Sequence, residues 1–476
     1  MKTIARLSLI LFCSSLLLAQ QRTTNRQILV FTHVTLIDAT GAEAKRDMTV
    51  VIRDGRIAAL GKHGKIRPSK SAQIVDASGK FLIPGLWDMH VHEWNKEAFF
   101  PLFIANGVIG VRDMFAPLPP IKQWRAEVAA GTTIGPQIAA AAGIILDGPN
   151  PGCAPCSIAV GNAAEGRRAV LKVKEMGSDF IKVYSMLPRD AYFAIADEAK
   201  RQNMVFAGHV PEVISAGEAS DAGQKSIEHL TGVLVACSAK EEELRKENEA
   251  RLRADGFRGD TIMLEEFRAL DSFDAKQAAA LFARFKRNDT WMCPTLSVLR
   301  ARAFIGDADF RNDSRLKYIQ NFLRKQFWED AFGFSSRTAG DNALARRVFQ
   351  KQLEVVGMMK RAGVDFIAGT DTANPYVFPG FSLHDELALL VQAGFTPMEA
   401  LQAATRDPAR YLGLLDSVGT IEKGKIAELV LLDANPLAEI GNTRKINAVV
   451  VGGTLITRPE LDKMLADVAS LVSKGQ

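Results

Sequence analysis

Short β-branched runs open the chain after its first two dozen residues: Ile28-Leu29-Val30-Phe31, Val34-Thr35-Leu36-Ile37 and Thr49-Val50-Val51-Ile52. Asp54-Gly55-Arg56 is a tight-turn signal before Ile57-Ala58-Ala59-Leu60, and Phe81-Leu82-Ile83-Pro84-Gly85 closes this part with a turn. From there apolar, strand-like segments alternate with amphipathic ones such as Ala163–Met176 and Ala191–Arg201. Eight strands are predicted: Leu86–His92, Gly107–Asp113, Gln137–Leu146, Asp179–Met186, Met204–Val210, Ser226–Leu230, Trp291–Val298 and Asp365–Asp371. Strand–helix alternation argues parallel βαβ units, and eight of them argue a (β/α)8 barrel. Ala239–Lys286 is highly charged with a helical period and is predicted as an excursion after strand six that forms part of a lid. Leu299–Lys351 is a second long helical stretch, after strand seven. Beyond Tyr411-Leu412-Gly413 the character returns to β, in Glu428–Asp433 and Ala448–Gly453. The expected fold is therefore α/β, a TIM-like barrel (85–415) with a small β-sandwich built from both chain ends (26–84 and 416–460).

Composition refines this picture at two points. Of 476 residues, 47% are hydrophobic and 24% charged, which suits a large buried core. The net charge is +5 but the charges are interspersed, so no basic run marks a nucleic-acid partner. The first twenty residues differ: Lys2 and Arg6, then an apolar stretch from Leu7 to Ala19, then polar Gln20–Asn25. This pattern predicts a cleaved secretory signal (1–20), hence a periplasmic or secreted protein with no membrane span in its mature chain. Cys13 would leave with the signal. In an exported protein Cys153 and Cys156 are either a local disulfide or free loop thiols, and Cys237 and Cys293 are expected to be separate buried thiols.

The chemistry concentrates in the histidines. His90 and His92 leave one predicted strand end two positions apart, so they share a face and can grip one metal ion. His209 closes strand five, His229 strand six and Asp371 strand eight, while Lys182 lies in strand four. Singly, each has an ordinary structural explanation. Six such residues at the active rim of one barrel point to a metal site. Tyr184 follows Lys182 by two and shares its inward face; it either hydrogen-bonds the substrate or its oxyanion, or packs in the core. His384 stands just beyond strand eight, where it either supports the site or touches substrate. Arg112 and Asp113 close strand two as a rim ion pair, with Arg112 a candidate binder of a substrate carboxylate. His33 and His63 fall in the sandwich as structural residues.

These segments, together with Pro84–His92, Asp179–Val183, Gly208-His209, Glu228-His229, Gly369–Asp371 and the tail Ala403-Ala404-Thr405…Gly424–Val430, resemble the amidohydrolase superfamily. The similarity is to its imidazolonepropionase-like branch, which includes Xaa-Pro dipeptidases and ochratoxin-type amidases, and it covers nearly all the mature chain. Glu428 stands where that family usually has Asp. The resemblance implies one divalent ion on His90, His92 and Asp371, a second on His209 and His229, and Lys182 bridging both as a carbamate made with carbon dioxide. Zinc is the expected metal, although such ligands also accept manganese and cobalt. It further implies attack on a small amide or dipeptide by a hydroxide shared between the ions, with Asp371 as proton carrier. Cyclic amides, lactones and organophosphates are alternative substrates, a non-catalytic periplasmic binding protein is the alternative of another class, and a homo-oligomer is compatible with the sequence.

Overall fold

The computed structural model describes residues 28–93, 95–151, 153–255, 261–328 and 337–475; the predicted signal segment, with Cys13, lies outside the described residues. Five strands come first: β1 (Leu29–Leu36), β2 (Lys45–Arg53), β3 (Arg56–Lys62), β4 (Gln73–Asp76) and β5 (Phe81–Pro84). The two β-branched runs at 28–37 are one strand, bulged where His33 takes a φ of 57°.

Nine further strands follow: β6 (Leu86–Val91), β7 (Val108–Asp113), β8 (Gln137–Ala141), β9 (Ile145–Asp147), β10 (Ser157–Ala159), β11 (Ile181–Val183), β12 (Phe206–Gly208), β13 (Ser226–Glu228) and β14 (Trp291–Cys293). All their pairings are parallel, in one sheet ordered β6-β7-β8 and another ordered β10-β9-β11-β12-β13-β14. β8 and β9 are the two halves of the predicted third strand. The predicted eighth strand is reduced to isolated bridges at Phe366 and Thr372. It still lies between β14 and β6, because Ile367 N–H donates to Met292 C=O and Met89 N–H to Ala368 C=O. The intervening helices lay apolar faces on these strands, as Ala169, Val170 and Val173 do from Ala163–Met176.

The chain's end returns to the first sheet. β15 (Leu429–Leu432), β16 (Ile446–Val451) and β17 (Thr454–Thr457) complete an eight-stranded sheet ordered β17-β16-β15-β5-β1-β2-β3, with β4 on β1. β15 pairs antiparallel with β5, so both chain ends share one sheet. Its own core joins Leu29, Phe31 and Val50 to Leu429, Leu431 and Val450.

Two expectations need correction. Strand seven stops at Cys293 rather than Val298: Pro294 cannot donate to a ladder, and Thr295 turns left-handed at φ 46° to start the helix Leu296–Phe304. That helix start is satisfied by the buried Glu386 carboxylate, which accepts from Leu296 N–H at 2.9 Å and Ser297 N–H at 2.7 Å. The excursion at 239–286 is helical, as its period predicts, with helices Glu241–Asp255, Thr261–Asp271 and Ala275–Arg287 among the described residues. After β17 the chain continues into a helix not foreseen from its sequence, Arg458–Ser473. Thr457 and Glu460 form its capping box, and it packs against the helix Lys96–Ala105. Of the two states open for Cys153 and Cys156 the structure has the disulfide, and Cys237 and Cys293 are buried thiols as expected. Among the described residues no helix is long and apolar enough to cross a membrane.

Candidate metal centre

Strand ends bring the predicted residues together, and two glycines make the approach possible. At Gly208, φ +136°, a Cβ would stand 2.2 Å from Val183 O and 3.1 Å from Lys182 Cδ. At Gly369 a Cβ would stand 2.5 Å from Cys293 Sγ and 2.9 Å from His90 Cβ. Only a residue without a Cβ lets His209 and Asp371 follow so closely on their neighbours. Two site residues sit in left-handed backbone that ordinary side chains avoid, His229 at φ 58° and Asp371 at φ 64°.

Asp371 is the hub. Its Oδ1 lies 3.0 Å from His92 Nε2 and 3.4 Å from His90 Nε2, and its Oδ2 lies 3.7 Å from His229 Nε2. Ligand atoms of His90, His229 and Asp371 all fall within 4.8 Å of one another. His209 joins through its ring, 4.9 Å from that of His229. Burial works to raise the Asp371 pKa, but the neighbouring His229, His92 and Lys182 outweigh it and hold the carboxyl below its usual range.

Each imidazole is held by its other nitrogen. His90 Nδ1 donates to Glu228 Oε2 at 2.8 Å and His92 Nδ1 to Phe115 O at 3.1 Å, since neither oxygen can donate. His209 Nδ1 meets Ser185 Oγ at 2.8 Å. His229 Nδ1 meets Thr295 Oγ1 at 2.7 Å; the Thr295 hydroxyl already donates to Pro294 O, so it accepts from the ring. Rings fixed this way present Nε2 as a lone pair, the arrangement that metal-ligating histidines share. His90 Nε2 is fully buried with no hydrogen-bond partner. A buried polar atom left so is costly unless something else occupies its lone pair, so the residues fit a divalent cation. Burial, then the charges of neighbouring groups, drive the His90 and His209 pKa values well down; in His229 burial outweighs the opposing pull of Asp371. Neutral imidazole is the ligand form.

Lys182 is 1% exposed in β11. Burial brings its pKa down to about 8 against the opposing charges of Glu228 and Asp371. This favours the free amine, the form that reacts with carbon dioxide. The Tyr184 ring stacks on His209 with centroids 3.9 Å apart, and burial pushes its phenol pKa up, so it can donate a hydrogen bond but not serve as a base.

The supporting groups were mostly missed. Glu228 is fully buried and accepts from His90, from Ser226 Oγ and, through both oxygens, from Arg112 at 2.9 Å. Asp88 accepts from Thr370 Oγ1 at 2.6 Å and from the Thr370 and His90 backbone N–H groups, locking strand one beside Asp371. Alternation in β7 could have excluded the expected Arg112–Asp113 pair, because neighbouring strand residues face opposite ways. Arg112 is 1% exposed and spent on Glu228, Met89 O and Tyr411, so it is no substrate binder. Asp113 instead accepts from Glu93 N–H at 2.8 Å. His384 is also structural: its two ring nitrogens meet Thr443 Oγ1 at 2.9 Å and Asn106 O at 3.1 Å, away from the site.

Residues 314–456 match the amidohydrolase family. Ochratoxinase of Aspergillus niger is 25% identical over 491 residues, covering 88% of this chain and 84% of that protein. Two solved structures share the fold: bottromycin amidohydrolase, with a TM-score of 0.72 at 23% identity over 93% of this chain and 90% of the other, and a Xaa-Pro dipeptidase with bound methionine, with a TM-score of 0.63 at 20% identity over 90% and 100%. The chain thus carries an amidohydrolase-family match over residues 314–456, with its histidines and aspartate gathered at the ends of parallel strands.

Proposed function

We propose that this protein is an exported hydrolase that cuts a small amide, either a dipeptide such as Xaa-Pro or an N-acyl amino acid, with two divalent metal ions. The parallel strands would close an eight-stranded barrel (85–415), and the shared sheet of the chain ends (26–84 and 416–460) would pack as a small sandwich beside it. The observation that carries the reading is the orphaned His90 Nε2 beside Asp371 and His229, in a set of imidazoles each held by Nδ1. His90, His92 and Asp371 would hold one ion, His209 and His229 the other, with Lys182 carbamylated between them. Bound there, the ions, zinc by preference, would polarise the amide carbonyl and acidify water toward neutral pH.

The chain's own groups do the rest. Asp371, kept anionic by its neighbours, takes a proton on its carboxylate and delivers it to the leaving nitrogen. The Tyr184 phenol donates to the oxygen that gains charge as the carbonyl is attacked. Thr295, Ser185, Glu228 and the Phe115 carbonyl keep the four rings from turning. The test is metal analysis together with a screen of dipeptides, N-acyl amino acids, esters and phosphotriesters after reconstitution with zinc, manganese or cobalt. About two ions per chain and amide cleavage are expected. Hydrolysis of esters or phosphotriesters alone moves the substrate class, and no metal uptake ends the proposal.

A further inference from the structure

We infer that Glu386 is a positioning residue for His229: by capping the helix Leu296–Phe304 from outside, it releases the hydroxyl of Thr295 to hold the imidazole. This rests on the metal-centre reading above and names a group that fixes one of its rings from a distance.

A helix start leaves its first backbone N–H groups bare. The residue just before it ordinarily turns a Ser, Thr, Asp or Asn side chain back to accept from them. Thr295 stands at that place and is the right residue type, yet its side chain makes no such bond. Its hydroxyl instead donates to Pro294 O at 2.8 Å and accepts from His229 Nδ1 at 2.7 Å. Its backbone is not that of a capping residue either. A cap is extended, whereas Thr295 is left-handed at φ 46° and ψ 48°, a conformation that β-branched residues avoid. The threonine is turned from its helix toward the histidine, so another group must cap the helix.

Glu386 is that group. Its Oε1 accepts from Leu296 N–H at 2.9 Å, and its Oε2 from Ser297 N–H at 2.7 Å and from Ser297 Oγ at 2.8 Å. A fully buried carboxylate is tolerated here because donors surround it at the positive end of a helix. Glu386 is also held in place. It lies in the helix Phe381–Gln392 beside Asp385, which accepts from Arg315 at 2.8 Å and Arg444 at 2.6 Å, and His384, which meets Thr443 at 2.9 Å. Consecutive side chains thus fasten this helix on several sides, and the last of them reaches the helix that begins beside His229. Without the carboxylate, the bare N–H groups favour Thr295 in the ordinary extended, capping conformation. That conformation takes its hydroxyl away from His229, and the ring loses the contact that keeps Nε2 as a lone pair.

The test reads metal binding and the state of the ring, so it does not depend on turnover. Zinc dissociation constants of the full chain are measured by competition with a chromophoric chelator. Glu386→Ala should bind zinc about tenfold more weakly, as should Thr295→Val, and the double variant should bind no more weakly than Thr295→Val alone. Glu386→Gln keeps one accepting oxygen and should lie between Glu386→Ala and the wild type. Thr443→Val removes the His384 contact from the same helix and should keep wild-type affinity, which separates positioning from a general loss of rigidity. In the metal-free chain with 15N-labelled histidine, the His229 proton should sit on Nδ1 in the wild type and move in part to Nε2 in Glu386→Ala. Wild-type affinity or an unmoved His229 proton in Glu386→Ala overturns the proposal, as do losses that multiply in the double variant or an equal loss in Thr443→Val. If Glu386→Ala does not fold, Glu386→Gln carries the same readings. A wild type that takes up no zinc sinks the metal-centre reading instead, and the position of the His229 proton then decides the role of Glu386.

Discussion

Two sets of histidines can be compared in this molecule. In the end sheet, His33 and His63 lie with ring centroids 3.7 Å apart, closer than His90 and His229 at 4.6 Å. His33 Nδ1 even has a carboxylate, Asp47, at 2.9 Å. Yet that pair is exposed: the His33 side chain is 44% accessible and Asp47 60%. Water can satisfy every nitrogen there. At the strand ends His90 and His209 are buried and His92 and His229 nearly so, each Nδ1 is held by a neighbour, and His90 Nε2 has nothing to bond. Closeness does not distinguish a ligand set from a surface pair; burial with one nitrogen pinned does.

The sharpest way to break this comparison is to remove one carboxylate from each set. Asp371→Asn is expected to lower kcat by about 10²–10⁴-fold and to reduce bound metal, while Asp47→Asn leaves both at wild-type values. Equal effects would erase the distinction. A smaller effect concerns what holds the rings. Glu228→Ala leaves the Arg112 guanidinium buried without its partner, so urea unfolding of the metal-free protein should show a loss of about 3–5 kcal/mol. A loss below about 1 kcal/mol would mean that the pair is replaceable by water. The smallest effect sharpens the contrast from the other side. Metal at about a hundred times its dissociation constant should stabilise the wild type by about 2.7 kcal/mol. His63→Ala should retain that gain, with its own stability within about 0.5 kcal/mol of wild type, and His90→Ala should lose the gain. Thermal melts with and without chelator read all three proteins.

The ligand candidates were legible because strand alternation and strand-end position can be read locally. His90 with His92, Gly208-His209 and Gly369-Thr370-Asp371 each carry their geometry in a few consecutive residues. What holds them was not legible, since His90 meets Glu228 across 138 positions and His229 meets Thr295 across 66. No short window of sequence contains such a contact. Strand lengths failed for a related reason: β11, β12, β13 and β14 each keep three ladder residues, and the apolar positions beyond them pack as loops and helix starts. Arg112 was misread because its charge suggested the surface, whereas its partner Glu228 lets it stay inside. The helix Arg458–Ser473 announces itself through Thr457-Arg458-Pro459-Glu460, a start signal that the β character of the preceding segment masked.

The pairing of β5 with β15 ties Phe81–Pro84 to Leu429–Leu432. During synthesis, the amide and carbonyl groups on that side of β5 must wait for more than three hundred later residues before their partner exists. An unfinished chain thus presents a bare, apolar ribbon edge, the sort of surface that recruits other unfinished chains. The last strands made act as the clasp on the first, so deleting them would turn a folding protein into an aggregating one even though every proposed ligand residue is already present upstream.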